Sequence, residues 1–184
     1  ISAGVDILEQ NILVPMMDAM RVSFFQNLLR THYSNIPDFH HQLFTKGVEA
    51  SDNALLKGIL AISSSYLITK NDEYIKLVFD RKNFTIMKDM ASYGFNPNVT
   101  ICDDCEKKYP LHHSVSLNDF NMVKALLAFP NIDVNLESGN GKTPIHYSIC
   151  SVMSEMLHEH GADFDKSDSQ GNLSKAAIID SCNG

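Results

Sequence analysis

The chain of 184 residues has no tryptophan, only four cysteines, and no apolar run approaching the roughly eighteen residues of a membrane-spanning helix. It has 15 basic against 22 acidic residues and no basic block, which argues against nucleic acid and anionic membranes as partners. Sparse cysteines in a chain with 44% hydrophobic residues favour a folded protein in a reducing compartment. We therefore expect a cytoplasmic protein that is not inserted into a membrane.

Sequence motifs of catalysis are missing as well. The chain contains no Gly-x-Ser-x-Gly, no phosphate-binding loop, no His-Glu-x-x-His and no kinase signature. We therefore predict no catalytic residue, no enzymatic activity and no cofactor. Because the sequence starts at Ile1 without a methionine or a charged leader, we expect a piece of a longer protein.

What the sequence does contain is a repeated turn followed by a helix start. Residues 139–148 read GNGKTPIHYS. The glycines can take positive φ in a tight turn, Thr143 can cap a helix, and Pro144 suits the first helical position. A similar pattern, YPLHHS, begins at Tyr109, which lies 34 residues before Thr143. Recurrence at such a period indicates an array of repeats.

The spacing of apolar residues predicts further helices. The expected segments are 16–34, 37–47 with Gly47 as the C-cap, 51–69 with Ser51 or Asp52 as the N-cap, 72–80, and 83–94 with Asn83 or Thr85 as the N-cap and Gly94 at the end. Pairs of helices are then expected to begin at Tyr109 and at Thr143. A last helix-compatible piece runs from Leu173 to Asp180.

These motifs resemble the ankyrin repeat family, whose unit of about 33 residues is a Thr-Pro-Leu-His helix, a turn, a second helix, Gly-Ala-Asp and a β-turn finger. The helix start matches at 110–112 and 143–146, the second helix at 122–127, Gly-Ala-Asp at 161–163, and the finger glycine at Gly141 and Gly171. The match is clear over 109–171 and degenerate over 71–108 and 172–184. The resemblance implies an all-α fold, an ankyrin-repeat solenoid of paired antiparallel helices with β-turn fingers. Residues 1–70 are then a helical N-terminal region of unknown role, and residues 71–184 form about three to four units, the last truncated or capping.

Two departures from the family pattern are expected to change the structure locally. Gly141 and Gly171 are 30 residues apart, so the repeat that starts at Thr143 lacks about three residues. We place that loss in its inter-helix turn, near Cys150. The last unit has LSKA at 173–176 in place of Thr-Pro-Leu-His, as expected of a terminal repeat.

The resemblance also implies a function, which is non-catalytic binding of a partner protein through the finger loops and the concave helix face. The residues carried over to this surface are Asp103, Asp104, Glu106 and Lys107 on the first finger, Glu137, Ser138, Asn140 and Lys142 on the second, Ser167, Ser169 and Gln170 on the third, and His113, Ser116, Tyr147 and Ser148 on the concave face. These fingers are mostly acidic or neutral, which favours a basic partner surface. Alternatively, the repeats recruit a substrate for a larger enzyme or adaptor, such as a secreted effector or a viral host-interaction protein.

A metal site is a further alternative, because Cys102 and Cys105 have a Cys-x-x-Cys spacing that can bind Zn²⁺. A closed zinc site usually has a second clear ligand pair, and no second Cys-x-x-Cys follows. His112 and His146 match the family histidine that hydrogen-bonds within and between repeats, so the resemblance implies a structural role for both. We therefore predict no metal site, with Cys102 and Cys105 as the candidates if one exists.

Overall fold

The computed structural model describes residue 27 and residues 37–102 and 109–174. The chain divides into two compact halves after Gly94. Within the described residues, regular structure is helical apart from one isolated β-bridge between Ser167 and Leu173. The motifs predict a boundary at 70/71 between the N-terminal region and the repeats, which is a different kind of boundary from the division into compact halves. The boundary at 70/71 stays a prediction. The expected helices 16–34 and 173–180 lie almost entirely outside the described residues.

In the N-terminal half, α1 (Pro37–Glu49) packs against α2 (Asn53–Leu67). Between them, the Asp52 carboxylate accepts a hydrogen bond of 3.0 Å from the Leu55 N–H, which confirms Asp52 as the N-cap of α2. Helix α2 ends at Leu67 rather than at Thr69, because the chain tightens there into a 3₁₀ turn over Ile68–Lys70.

The prediction that Gly47 ends α1 is wrong, since the helix continues to Glu49. The positive φ needed to leave the helix is taken by Ser51, at 57°. Gly47 serves packing instead: a Cβ atom there would lie 2.9 Å from Cδ2 of Leu56 on α2. The missing side chain therefore lets the two helices approach closely.

A second helix pair, α3 (Asn71–Asp80) and α4 (Phe84–Met90), completes this half. The Asn83 side chain accepts from the Ile86 N–H at 3.2 Å, so Asn83 is the N-cap of α4. After a 3₁₀ turn over Ala91–Tyr93, Gly94 leaves the helix with a φ of 80°. The predicted cap and the predicted terminating glycine are both confirmed.

The C-terminal half begins its first full helix pair with α5 (Pro110–Ser116) and α6 (Phe120–Leu127). Pro110 occupies the first turn of α5, where its missing N–H costs nothing. Asn118 makes the turn between them with a φ of 56°, a conformation that asparagine tolerates. Asp119 then caps α6 by accepting from the Met122 N–H at 3.1 Å. Within the motif match at 122–127, four apolar side chains of α6 are buried: Met122, Val123, Leu126 and Leu127.

The repeat that follows is abbreviated. Its first helix is only a 3₁₀ turn over Pro144–Tyr147, and its second helix is α7 (Ser151–Glu159). Ile149, which follows the 3₁₀ turn, is 66% exposed. The missing residues near Cys150 explain this, because the backbone is extended at Ser148 and Cys150 where a longer repeat would continue the helix.

Candidate functional site

Asparagine side chains at the base of the fingers hold successive repeats together. The Nδ2 atom of Asn135 donates to the Gly161 carbonyl at 2.9 Å, and its Oδ1 atom accepts from the Asp163 N–H at 2.9 Å. Asn98 makes the same pair of bonds one repeat earlier, to the Asn131 carbonyl at 2.8 Å and the Asp133 N–H at 3.0 Å. Each amide therefore clamps the start of the next finger with both of its polar groups.

The second finger (residues 136–142) is a hairpin closed on itself. The Ser138 N–H and the Ser138 hydroxyl both donate to the Lys142 carbonyl, at 2.9 and 3.0 Å. The Gly141 N–H returns to the Ser138 carbonyl at 2.9 Å, and Gly141 has a φ of 74°. Gly139, the other glycine expected to allow a positive φ, is outside that region. The finger is thus rigid through its own backbone.

The third finger (residues 166–172) is organised by Asp168. Its Oδ1 atom accepts from the N–H groups of Asn172 and Gln170, both at 2.9 Å. The hydrogen bond from the Asn172 N–H is the largest of the effects that hold the pKa of Asp168 below its usual range. Because the carboxylate stays ionised, it keeps accepting these bonds at neutral pH.

The second and third fingers are tied to each other. The Asn140 carbonyl accepts from the Ser169 N–H at 3.0 Å and from the Ser169 hydroxyl at 2.7 Å. Lys166 and Glu137 form an ion pair of 2.7 Å between the two fingers. A Cβ atom on Gly141 would lie 2.7 Å from the Ser169 nitrogen, so the backbones touch there. The two fingers therefore present a single surface.

Both motif histidines connect one repeat to the next. The Nε2 atom of His112 donates to the Lys142 carbonyl at 3.0 Å, and Nε2 of His146 donates to the Asn172 carbonyl at 3.3 Å. Since a carbonyl only accepts, the proton of each neutral imidazole sits on Nε2. The geometry agrees with the structural role that the resemblance implies for these two histidines.

We expect the stability of the chain to fall on acidification below about pH 6.5. Burial lowers the pKa of His112, and the hydrogen bond to Lys142 offsets this only in part. The unfolded state therefore binds a proton before the folded state does, and stability is lost between the ordinary histidine pKa and the lowered one. The slope attributable to this group is at most about 1.4 kcal/mol per pH unit.

Urea unfolding followed by circular dichroism at several pH values measures this slope. His112→Gln should flatten it, because glutamine does not titrate. An unchanged slope in that variant would assign the acid sensitivity to other groups.

Three rings of the C-terminal half lie in a row. The Tyr109 ring lies 5.4 Å from the His112 ring, and the Tyr147 ring meets His112 edge-on at 5.8 Å. The Lys142 ammonium lies 5.6 Å from the centroid of Tyr147, within cation–π range. His113 is half-buried on the same helix as His112.

The structure brings together most of the predicted surface residues of the second and third fingers. Glu137, Ser167, Ser169 and Gln170 are exposed, and Asn140, Lys142 and Tyr147 are half-buried beside them. His113 and Ser116 lie apart from the fingers along α5, where the Ser116 hydroxyl donates to the His113 carbonyl at 2.8 Å. Asp103, Asp104, Glu106 and Lys107 lie outside the described residues.

Two predicted surface residues need correction. Ser138 and Ser148 are buried, with 6% and 1% exposure. Ser138 closes the second finger, and the Ser148 hydroxyl bonds to the Cys150 carbonyl at 3.1 Å and to the Ser154 hydroxyl at 2.8 Å. Serine hydroxyls that form hydrogen bonds with backbone groups of a tight turn become buried in it. The position of a serine in the sequence does not by itself reveal this.

Sequence reasoning missed two residues of this surface, Lys166 and Tyr109. Lys166 has no local motif, and its ion pair with Glu137 depends on the stacking of two fingers. Tyr109 carried a usable signal, because it stands at the motif position where Thr143 stands in the next repeat.

The described residues give no support to a metal site. No three His, Cys, Asp or Glu side chains among residues 37–102 and 109–174 form a group that could hold a metal ion. Cys102 is half-buried, and Cys105 lies outside the described residues. His112, the nearest histidine of the motif, commits its Nε2 atom to a backbone carbonyl.

Stacked helix pairs joined by β-turn fingers, with histidines and asparagines bonding one repeat to the next, define a helical-repeat scaffold. The profile of ankyrin repeats (three copies) matches residues 75–168, which is more than half of the chain. The chain belongs to the ankyrin repeat family.

Two solved structures are similar to this chain at low sequence identity. The ankyrin repeat domain of Bcl-3, a unique member of the IkappaB protein family, is 13% identical with a TM-score of 0.54, and the match covers 98% of this chain and 97% of that one. The ankyrin repeat protein EF0377 is 14% identical with a TM-score of 0.43, over 76% of this chain and 92% of that one. No curated protein sequence matches the chain. The likeness to the Bcl-3 domain concerns the fold alone.

No helix in the described part of the chain is long and apolar enough to cross a membrane.

Proposed function

We propose that this chain is a non-catalytic protein-binding module whose binding surface is formed by the second and third fingers and the concave face beside them. Ankyrin repeats are generally modules for protein–protein interaction. The observation that carries the proposal is the coupling of the two fingers through Asn140, Ser169, and the pair of Lys166 with Glu137. A surface held in one conformation loses little entropy when a partner binds, which favours affinity.

The charge of the chain supports a basic partner. Residues 95–184 contain twelve Asp and Glu against six Lys and no Arg, so they carry nearly all of the net charge of −7. Residues 1–94 are almost neutral, with ten acidic and nine basic residues. A partner with complementary charge is steered to the repeats and is oriented on them.

The test is affinity purification with the full chain as bait, followed by identification of bound proteins by mass spectrometry and measurement of their affinity. Glu137→Arg reverses a charge at the finger surface. We expect this variant to bind the partner with an affinity about tenfold or more lower than that of the wild-type chain. Glu155→Arg is the matched control, because it makes the same change at an exposed position on α7, away from the fingers.

Loss of the partner with Glu137→Arg and its retention with Glu155→Arg supports the finger surface. If both variants retain the partner equally and circular dichroism shows that both are folded, the second finger is not part of the binding surface.

A further inference from the structure

The two copies of the helix-start motif differ in their first residue, and in the first copy a buried nitrogen has no partner among the residues that the structure describes. In the second copy, Nδ1 of His146 accepts from the Thr143 N–H at 3.2 Å and from the Thr143 hydroxyl at 3.0 Å. In the first copy Tyr109 replaces threonine. His112 is fully buried, and its Nδ1 atom has no hydrogen-bond partner in the described residues.

This arrangement costs stability. A buried polar atom that loses its partner forfeits the hydration it had in the unfolded chain. A threonine at 109 could supply the hydroxyl donor that Thr143 supplies to His146 one repeat later. Tyr109 departs from the residue type that the motif favours, although a threonine would fit there. Such departures occur where a residue has another role.

The other role is exposed aromatic surface. Tyr109 is half-buried at the N-cap position of α5, and its ring centroid lies 5.4 Å from that of His112. Tyrosine is among the residues most often found to dominate binding energy, because it buries a large rigid area at a small entropy cost. The threonine of the other copy offers no such surface.

The surrounding chemistry points to a cationic ligand. Across the same row of rings, Tyr147 already receives the Lys142 ammonium at 5.6 Å, so this surface can bind a cation by cation–π contact. The described residues of the C-terminal half hold eight acidic side chains against three lysines. Arginine is the cation that stacks best on an aromatic face.

We propose that Tyr109 is the anchor of the partner-binding surface of this chain and that the Tyr109 ring binds an arginine side chain of the partner. The inference rests on the proposed protein-binding function and adds to it the residue at the centre and the chemistry that it recognises. The capping bond that His112 lacks is the cost of placing the tyrosine there.

The test uses the full chain and three synthetic peptides, Arg-Gly, Lys-Gly and Glu-Gly repeats of equal length, titrated by calorimetry. The wild-type chain should bind the arginine peptide more tightly than the lysine peptide and should not bind the glutamate peptide. Tyr109→Phe keeps the ring and should keep the affinity. Tyr109→Thr should lower the affinity for the arginine peptide about fivefold, because a surface cation–π contact contributes near 1 kcal/mol.

Thermal unfolding of the same variants separates binding from folding. Tyr109→Thr should raise the melting temperature by about 2–4 °C, because it completes the missing cap. A variant that becomes more stable while it binds less tightly fits an anchor, whereas a purely structural tyrosine would lose stability when replaced.

The proposal is overturned if Tyr109→Thr binds the arginine peptide as well as the wild type does. It is overturned equally if the wild type does not bind that peptide, or if Tyr109→Thr lowers the melting temperature. None of these results decides the proposed function, because the Glu137→Arg comparison does not depend on Tyr109.

Discussion

Replacing Gly141 by alanine is expected to lower the free energy of unfolding by about 3 kcal/mol and to separate the second and third fingers. Gly141 has a φ of 74°, a conformation that costs an L-residue about 1–2 kcal/mol. The added Cβ would also lie 2.7 Å from the Ser169 nitrogen. Because that neighbour is backbone, it cannot rotate away, and relief requires the fingers to move apart.

Two other glycines provide matched controls for this prediction. Gly171→Ala meets the conformational cost alone, since its φ is 82° and nothing lies within 4 Å of an added Cβ. Gly139→Ala meets neither cost, because its φ is ordinary and its surroundings are open. Urea unfolding should therefore rank the losses as Gly141 first, Gly171 second, and Gly139 near zero. Equal losses at Gly141 and Gly171 would show that contact between the fingers contributes nothing.

Replacing Asn135 by aspartate is expected to cost about 2 kcal/mol and to loosen the last repeat. The substitution keeps the shape and the acceptor for the Asp163 N–H, but it removes the donor to the Gly161 carbonyl, 2.9 Å away. A carboxylate oxygen would then face a carbonyl oxygen. Both atoms carry negative charge, so the bond is replaced by repulsion.

Asp165 supplies the control for this experiment. Its N–H donates to the Asp163 carboxylate at 2.9 Å, just as the Asn135 N–H donates to Asp133 at 2.9 Å, so Asp165 holds the equivalent place one repeat later. Asp165→Asn should change the stability by less than about 0.5 kcal/mol.

Hydrogen exchange can locate the effect of Asn135→Asp. Amides of α7 should lose protection in this variant, while those of α1 and α2 should keep it. Uniform loss across the chain would mean that the repeats unfold as one unit and that the asparagine bond is not specific to the last repeat.

Rigid fingers matter for the proposed function because flexible ones would have to be ordered on binding. The same contacts that Gly141→Ala disrupts hold the proposed binding surface in one conformation. We therefore expect any partner found with the wild-type chain to bind this variant less tightly, by a larger factor than it does Gly139→Ala.

Features that depend on neighbouring residues were predictable from the sequence. Asp52 and Asn83 occur where the helix caps lie, and Asn118 and Gly94 occur where the backbone needs a positive φ. Each of these positions is governed by bonds to residues a few places away, so the pattern of residue types suffices. Because the motif recurs after 34 residues, these local features also predicted an array of ankyrin repeats.

Features that depend on distant residues were not predictable in the same way. Gly47 reads as a helix end, yet it is inside α1 because Leu56 on the next helix occupies the space of its side chain. Ile149 reads as a core residue, yet the shortened repeat ends its first helix before it.

The sequence by itself determined the helix-pair repeat, its caps and turns, its acidic character and the two motif histidines. The tertiary structure alone decided that Ser138 is buried, that Lys166 pairs with Glu137, and that Nδ1 of His112 has no partner within the described residues. The physical reason is that local bonds follow from residue types a few positions apart. Burial and pairing between fingers arise only when residues about thirty positions apart are stacked against each other.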